Sequence, residues 1–180
     1  MPEFEPITGR YFTMEVDGKP CRIYVEEAGS GIPLVCLHTA GSDARQYRHL
    51  LCDKTITDHY RVIAFDLPWH GKSNPPPGFR EDEYKLTTDL YKETVMAFCD
   101  AYELVDPVVM GCSMGGRVVL HLALGQADYF KAVIALEGSD KLDAYYDLDW
   151  LHRPDVHGGE IASAFVSAQV APQSLSLIHI

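Results

Sequence analysis

The stretch Val108-Val109-Met110-Gly111-Cys112-Ser113-Met114-Gly115-Gly116 decides the fold, because it joins a buried strand to a helix through a Gly-x-Ser-x-Gly turn. An apolar run that ends at a glycine-flanked serine is typical of a sharp strand-to-helix reversal. Such a turn gives the serine a left-handed backbone and brings Gly111 and Gly115 so close to neighbouring backbone that neither can carry a Cβ. The sequence therefore predicts a positive φ at Ser113 and a hydroxyl that is lifted clear of the sheet.

This turn is also the predicted site of chemistry. The Ser113 hydroxyl is the candidate nucleophile, and the N–H of Met114 at the helix N-terminus is placed to bind an oxyanion. Cys112 is a stronger nucleophile by chemistry, but only the central residue of such a turn projects into a site, so a packing role is favoured for Cys112.

A dinucleotide-binding loop is the main alternative for the same glycines. Gly111 and Gly116 match its first and last glycine, and Glu137 stands near the position of the ribose-binding acid. Ser113 argues against this interpretation, because its side chain occupies the middle glycine position and would block the approach of a pyrophosphate.

Size and composition restrict the protein to a few classes. Its 180 residues suffice for one domain, and no apolar run approaches the length of about 20 residues that a membrane span needs. The net charge of −11 argues against a nucleic-acid partner, which is bound through clustered Lys and Arg. Five cysteines without paired or metal-type spacing predict neither a disulfide framework nor a metal site. The first residues show no secretory signal, so a cytoplasmic location is expected.

Further elements flank the central stretch. Uninterrupted apolar runs suit parallel strands that are buried on both faces, and the intervals between the runs leave room for crossover helices. Alternating residues around Asp17-Gly18 predict an antiparallel hairpin over residues 11–27. The predicted parallel strands are residues 34–37, 62–65, 108–110 and 132–136, and the predicted helices are residues 44–52, 86–102 and 115–125.

Three motifs end successive predicted strands, and their order carries a resemblance to a known family. They are His38-Thr39-Ala40-Gly41, Asp66-Leu67-Pro68-Trp69-His70-Gly71-Lys72-Ser73, and Gly111-Cys112-Ser113-Met114-Gly115-Gly116. With the hairpin before them, residues 10–138 resemble the α/β-hydrolase superfamily. The resemblance implies an α/β fold with a mostly parallel sheet, an antiparallel N-terminal hairpin and three αβα layers. By the same resemblance, residues 1–138 are the N-terminal part of the core and residues 139–173 the start of a lid, while residues 174–180 are interpreted as a non-native tail.

The resemblance implies a serine hydrolase that acts on a small-molecule ester or another activated carbonyl, with no cofactor. Ser113 would be the nucleophile, and Gly111 and Gly115 would be the glycines of the nucleophile elbow. Ester, lactone and carbon–carbon bond hydrolysis all use these parts, so the substrate stays open, as does the oligomeric state. Dehalogenases and epoxide hydrolases of this fold would need an aspartate in place of Ser113.

The oxyanion hole implied by the resemblance consists of the N–H groups of Met114 and Ala40. Thr39 is the alternative to Ala40, because the His-Gly dipeptide of the family is His38-Thr39 here.

The catalytic acid and histidine of the family come from loops after the seventh and eighth strands, which this sequence does not reach. We therefore expect a fold that is incomplete at its C-terminus and a 180-residue chain that is inactive by itself. Two alternatives remain: the acid is Glu137 or Asp140 at the end of the sixth strand, or the polypeptide is a non-catalytic binding module.

Overall fold

Six strands form one sheet within the residues that the computed structural model describes, 4–79, 81 and 86–140. These residues belong to the first of the two units of the chain, Met1–Asp140. The strands are β1 (Thr8–Val16), β2 (Lys19–Ala28), β3 (Ile32–Leu37), β4 (Tyr60–Phe65), β5 (Val108–Cys112) and β6 (Ala132–Leu136), in the sheet order β1-β2-β4-β3-β5-β6. β2 is antiparallel to β1 and to β4, whereas β4, β3, β5 and β6 are parallel. The predicted mostly parallel sheet with its antiparallel N-terminal hairpin is confirmed.

The hairpin of β1 and β2 turns at Asp17 and Gly18, as the sequence predicts. Their φ angles of 51° and 65° match the primed turn whose twist suits two-residue hairpins. Both strands extend beyond the predicted range at the open end of the hairpin. There Glu27 forms ion pairs with Arg10 of β1 and Arg61 of β4, which tie three neighbouring strands together.

Helices cover both faces of the sheet. α3 (Thr88–Ala101) and α4 (Met114–Gly125) pack on one face, and the 3-10 turn Ala44–Tyr47, α1 (Arg48–Cys52) and α2 (Lys54–Thr57) lie on the other. Successive side chains of a strand point to opposite faces, so Ile63 belongs to the core under α3 and Ala64 to the core under α1. Burial on both faces explains why the strand sequences are uninterrupted apolar runs, and the predicted three αβα layers are confirmed.

The helices differ from prediction mainly at their boundaries. α3 begins at Thr88, because the Thr87 side chain accepts a hydrogen bond from the Leu90 N–H at 3.1 Å and caps the helix. The predicted helix over residues 44–52 is instead a 3-10 turn followed by α1, since Tyr47 leaves helical geometry with φ −102° and ψ 11°. No helix among the described residues is long and apolar enough to cross a membrane. The predicted lid and tail lie outside the described residues from 141 onward.

β6 forms one edge of the sheet that the described residues build. Its sequence has neither a charge nor a proline between Lys131 and Glu137. Natural edge strands carry such residues because their unpaired backbone groups can otherwise pair with another chain. Ile134 and Leu136 are 40% and 42% exposed, so this edge offers apolar side chains together with the backbone groups.

We expect Ile134→Lys to raise the monomer fraction of the 180-residue chain, because a charge on an edge strand disfavours strand pairing. Val133 in the same strand is a poorer position because it packs against the core under α3. Light scattering after size-exclusion chromatography measures the monomer fraction. The control is Leu124→Lys, which removes a leucine that is 79% exposed from α4 and should change nothing. A monodisperse wild-type monomer would contradict the prediction.

Candidate active site

The carboxyl ends of β3, β4 and β5 bring the three sequence motifs to one rim of the sheet. β3 lies between β4 and β5, and all three strands are parallel, so the loops that follow them emerge at the same edge. In open α/β sheets this edge is the usual place for a ligand. The loop after β3 starts at His38, the loop after β4 starts at Asp66, and β5 leads directly to Ser113.

Ser113 lies between β5 and α4 with φ 54° and ψ −111°, so the predicted positive φ is confirmed. Its N–H donates to the Leu136 carbonyl at 2.9 Å, and its carbonyl accepts from the Arg117 N–H at 2.8 Å. These bonds fix the backbone on both sides of the turn, while the residue itself is exposed. The structure therefore presents the Ser113 hydroxyl at the rim.

Two glycines allow this turn because backbone approaches them from neighbouring elements. A Cβ on Gly111 would lie 2.3 Å from the Gly115 carbonyl group, and a Cβ on Gly115 would lie 2.4 Å from the Leu37 oxygen of β3. Real Cβ atoms do not approach backbone so closely, and backbone cannot move aside as a flexible side chain can. β3, β5 and α4 can therefore converge here only with glycine at both positions.

Gly115→Ala is expected to lower the free energy of unfolding by about 2 kcal/mol, because the methyl group forces the start of α4 away from β3. Gly125→Ala is a matched control at the end of the same helix, where an added Cβ would meet no atom within 4 Å. That change should be neutral or slightly stabilising, since alanine favours helix over glycine. Urea unfolding of both variants measures the difference, and equal effects would contradict the close approach.

The loop after β3 is held in place by side chains of the 3-10 turn. Gln46 accepts a hydrogen bond from the Thr39 N–H at 2.9 Å, and the Tyr47 hydroxyl donates to the Leu37 carbonyl at 2.7 Å. The Thr39 carbonyl accepts from the Ser42 N–H at 3.2 Å. The Thr39 N–H is thus already bonded, whereas Ala40, the next residue, is exposed.

His38 joins the loop after β3 to the loop after β4. Its Nε2 accepts from the Leu67 N–H at 3.2 Å, so the neutral ring carries its proton on Nδ1, which donates to the Thr39 carbonyl at 2.8 Å. Burial lowers the pKa of His38 to about 4, and the nearby ring of His70 acts in the same direction. His38 is therefore a neutral structural link at pH 7.

Asp66 provides a second link between the same two loops. It is 2% exposed, and its carboxylate accepts from the Ala44 and Lys72 N–H groups, each at 2.7 Å. Burial raises its pKa, while the two N–H donors act in the opposite direction. The Ser73 hydroxyl donates to the Asp66 carbonyl at 2.7 Å and accepts from the Tyr24 N–H at 2.9 Å, which fixes the loop against β2.

Among the described residues, the structure brings no base to Ser113. Its hydroxyl has no hydrogen bond to a histidine or carboxylate of the described residues. His121 is part-buried, and its Nε2 lies 3.3 Å from the Asp140 carbonyl. Cys112 is partly buried beside the turn, and Glu137 follows β6 with φ 50°. The described residues include no group of three or more His, Cys, Asp or Glu that could hold a metal ion.

Sequence reasoning did not identify Gln46 and Tyr47 as parts of this rim. The two contacts join a short 3-10 turn to backbone groups at the end of β3 and in the loop that follows it. Such contacts follow no periodic pattern, so the sequence carries no signal for them.

Comparison with known proteins identifies the fold family. Residues 32–158 match the family model described as the alpha/beta hydrolase fold. The chain is 33% identical over 109 residues to the dihydrolipoyllysine-residue acetyltransferase component of an acetoin cleaving system from Pseudomonas putida, covering 61% of this chain and 27% of that protein. It is 28% identical over 142 residues to the 2-hydroxy-6-oxononadienedioate/2-hydroxy-6-oxononatrienedioate hydrolase of Escherichia coli O139:H28, covering 76% and 47%.

The fold also matches solved structures. A thermophilic esterase from Thermogutta terrifontis superposes with a TM-score of 0.72 at 19% identity, covering 94% of this chain and 61% of the esterase. The haloalkane dehalogenase DatA from Agrobacterium tumefaciens C58 superposes with a TM-score of 0.55 at 25% identity, covering 69% and 40%. The chain spans between about a quarter and a half of the length of the two curated relatives. Since the family model matches well over half of its residues, the chain belongs to the α/β hydrolase fold family.

Proposed function

We propose that the protein is a serine hydrolase that acts on an ester or another activated carbonyl of a small molecule, with Ser113 as its nucleophile. The observation that carries the proposal is the φ of 54° at Ser113, at the junction of β5 and α4. A non-glycine residue in this region is strained, and strain of this kind clusters at active sites where the surrounding structure maintains it. The strained turn exposes a hydroxyl at the rim where ligands bind in α/β sheets.

Two backbone N–H groups form the proposed oxyanion hole. Met114 is the first residue of α4, so its N–H has no partner within the helix and lies at the positive end of the helix dipole. The Thr39 N–H is bonded to Gln46, so the second donor is assigned to Ala40. As the Ser113 oxygen attacks, the carbonyl carbon becomes tetrahedral and its oxygen gains negative charge, which these donors would stabilise.

A general base must take the proton of Ser113 and later return it to the leaving group. His38 is unsuitable, because both ring nitrogens are bonded and its pKa lies at about 4. His70 is unsuitable as well, since its Nδ1 lies 3.0 Å from the Pro68 carbonyl and its ring contacts His38. The proposal therefore takes the base from outside the described residues.

Hydrolysis is also the reaction class that the relatives favour. One curated relative is named a hydrolase, and a solved structure of the same fold is an esterase. A flat ester such as p-nitrophenyl acetate is a suitable first substrate because its leaving group is activated. Its hydrolysis by the whole protein, compared with that by Ser113→Ala, tests the proposal.

A further inference from the structure

Two peptide planes of the loop after β3 decide which of its N–H groups can reach a ligand at the rim. The first plane joins His38 to Thr39. Its N–H, that of Thr39, donates to the Gln46 side chain at 2.9 Å, and its carbonyl, that of His38, accepts from the Tyr91 hydroxyl at 3.5 Å. Because a peptide unit is planar, bonds to both of its polar groups prevent it from turning about the chain. Gln46 and Tyr91 thus hold this plane from two different elements.

The second plane joins Thr39 to Ala40. Its carbonyl, that of Thr39, accepts from His38 Nδ1 at 2.8 Å and from the Ser42 N–H at 3.2 Å. The peptide is trans, so its N–H points in the direction opposite to its carbonyl. The Ala40 N–H has no hydrogen-bond partner among the described residues. The bonds to the Thr39 carbonyl therefore fix the direction of an N–H that is left available.

The strands on either side of β3 give this direction a meaning. The His38 ring that donates to the Thr39 carbonyl also accepts from the Leu67 N–H of the loop after β4, so this carbonyl is turned toward the β4 side. β3 lies between β4 and β5 in the sheet. The Ala40 N–H points the opposite way and is therefore turned toward β5, which leads to Ser113.

Gln46 projects from a turn that is anchored independently of it. The Asp66 carboxylate accepts from the Ala44 N–H at 2.7 Å, and the Tyr47 hydroxyl donates to the carbonyl of Leu37 at 2.7 Å. These bonds hold the 3-10 turn on both sides of Gln46. A side chain on such a support can keep a loop in one arrangement, as the preorganised donors of an oxyanion hole require.

We propose that Gln46 is a positioning residue for the oxyanion hole, because it accepts the Thr39 N–H and so keeps the Ala40 N–H aimed at the substrate oxygen that gains charge. The inference rests on the proposed function, which supplies that substrate carbonyl. Gln46 itself does not touch the substrate and acts only through the loop after β3. Without its acceptor the first peptide plane is free to turn, which displaces the second plane and its N–H.

The kinetic test uses hydrolysis of p-nitrophenyl acetate by the whole protein. Gln46→Met keeps the length of the side chain and removes the acceptor, and we expect it to lower kcat and kcat/KM together by about 10-fold to 100-fold. Equal loss in both constants is the sign of an interaction made only in the transition state. Gln46→Glu keeps an oxygen acceptor at the same reach and should recover most of the loss. The control is Arg48→Met at an exposed position of α1, which should change neither constant.

Amide hydrogen exchange of the 180-residue chain, followed by NMR, tests the contact without turnover. We expect the Thr39 amide to exchange at least about ten-fold faster in Gln46→Met than in the wild type, because its bond is lost. The Leu67 amide, which is bonded to His38, should keep its wild-type rate and so report that the fold is intact. An unchanged rate at Thr39 would overturn the proposal.

The outcomes separate this inference from the proposed function. If Ser113→Ala hydrolyses the ester at the wild-type rate, the proposed function is wrong, and the role of Gln46 falls with it. If hydrolysis depends on Ser113 while Gln46→Met keeps the wild-type kcat, the nucleophile stands and the role of Gln46 is wrong. The same loss in Gln46→Glu as in Gln46→Met would also overturn the inference, since the acceptor oxygen would then not be the cause.

Discussion

Ser113→Ala is expected to lower kcat for p-nitrophenyl acetate by about 10⁴-fold to 10⁶-fold in the whole protein. In the proposed mechanism the hydroxyl is the atom that forms the acyl-enzyme, and alanine leaves only the proposed N–H donors at Met114 and Ala40. Such donors retain a residual rate above that of water, which sets the upper limit of the loss. The variant should fold normally, since alanine keeps the Cβ of serine and the backbone bonds of Ser113 remain available.

Cys112→Ala is the matched control, because it removes the adjacent nucleophile and leaves the turn intact. We expect its kcat to stay within about two-fold of the wild type, since Cys112 is partly buried and lies beside the strained position. Loss of activity in Cys112→Ala with retention in Ser113→Ala would move the nucleophile to the thiol. Wild-type activity in both variants would exclude this turn as the site of covalent chemistry.

Acidification below pH 6.5 is expected to destabilise the chain through His38. The His38 pKa is 6.5 as a free side chain and about 4 in the fold, where burial is the main cause of the shift. Between these values the unfolded chain binds more protons than the folded one, so stability rises with pH. The contribution of neutral His38 to the free energy of unfolding is complete above pH 6.5. It is lost as the pH falls toward 4, by about 3 kcal/mol in total.

Urea unfolding at pH 7 and pH 4 measures this loss in the wild type and in His38→Gln. Other groups titrate in the same range. The quantity to compare between the two proteins is therefore the loss of unfolding free energy between pH 7 and pH 4. His38→Gln should be less stable at pH 7 but should lose about 3 kcal/mol less on acidification. His49→Gln, at an exposed position in α1, is the control and should keep the wild-type pH dependence. The same loss in His38→Gln as in the wild type would contradict a buried neutral His38.

The central part of the fold could be predicted because its signals are local. The apolar run of β5, the glycines of the turn and the helix after it follow one another in the sequence, so a positive φ at Ser113 could be inferred. The Asp17-Gly18 turn and the alternation around it fixed the hairpin in the same way. The predicted helix boundaries were less accurate. The Thr87 side chain caps α3, and the backbone geometry of Tyr47 divides the predicted first helix.

The sequence by itself determined the class of fold, the order of the motifs and the residue at the turn, because backbone sterics and burial act on neighbouring residues. Only the tertiary structure decided which groups remain available at the rim. Gln46 takes the Thr39 N–H, and His38 has both nitrogens engaged, through contacts between segments that are separate in sequence. The edge-to-face contact between the Trp69 and Phe79 rings arises in the same way, since it depends on how the loop after β4 folds back. Hydrogen bonds and ring contacts of this kind need precise distances, which a one-dimensional pattern of polar and apolar residues does not encode.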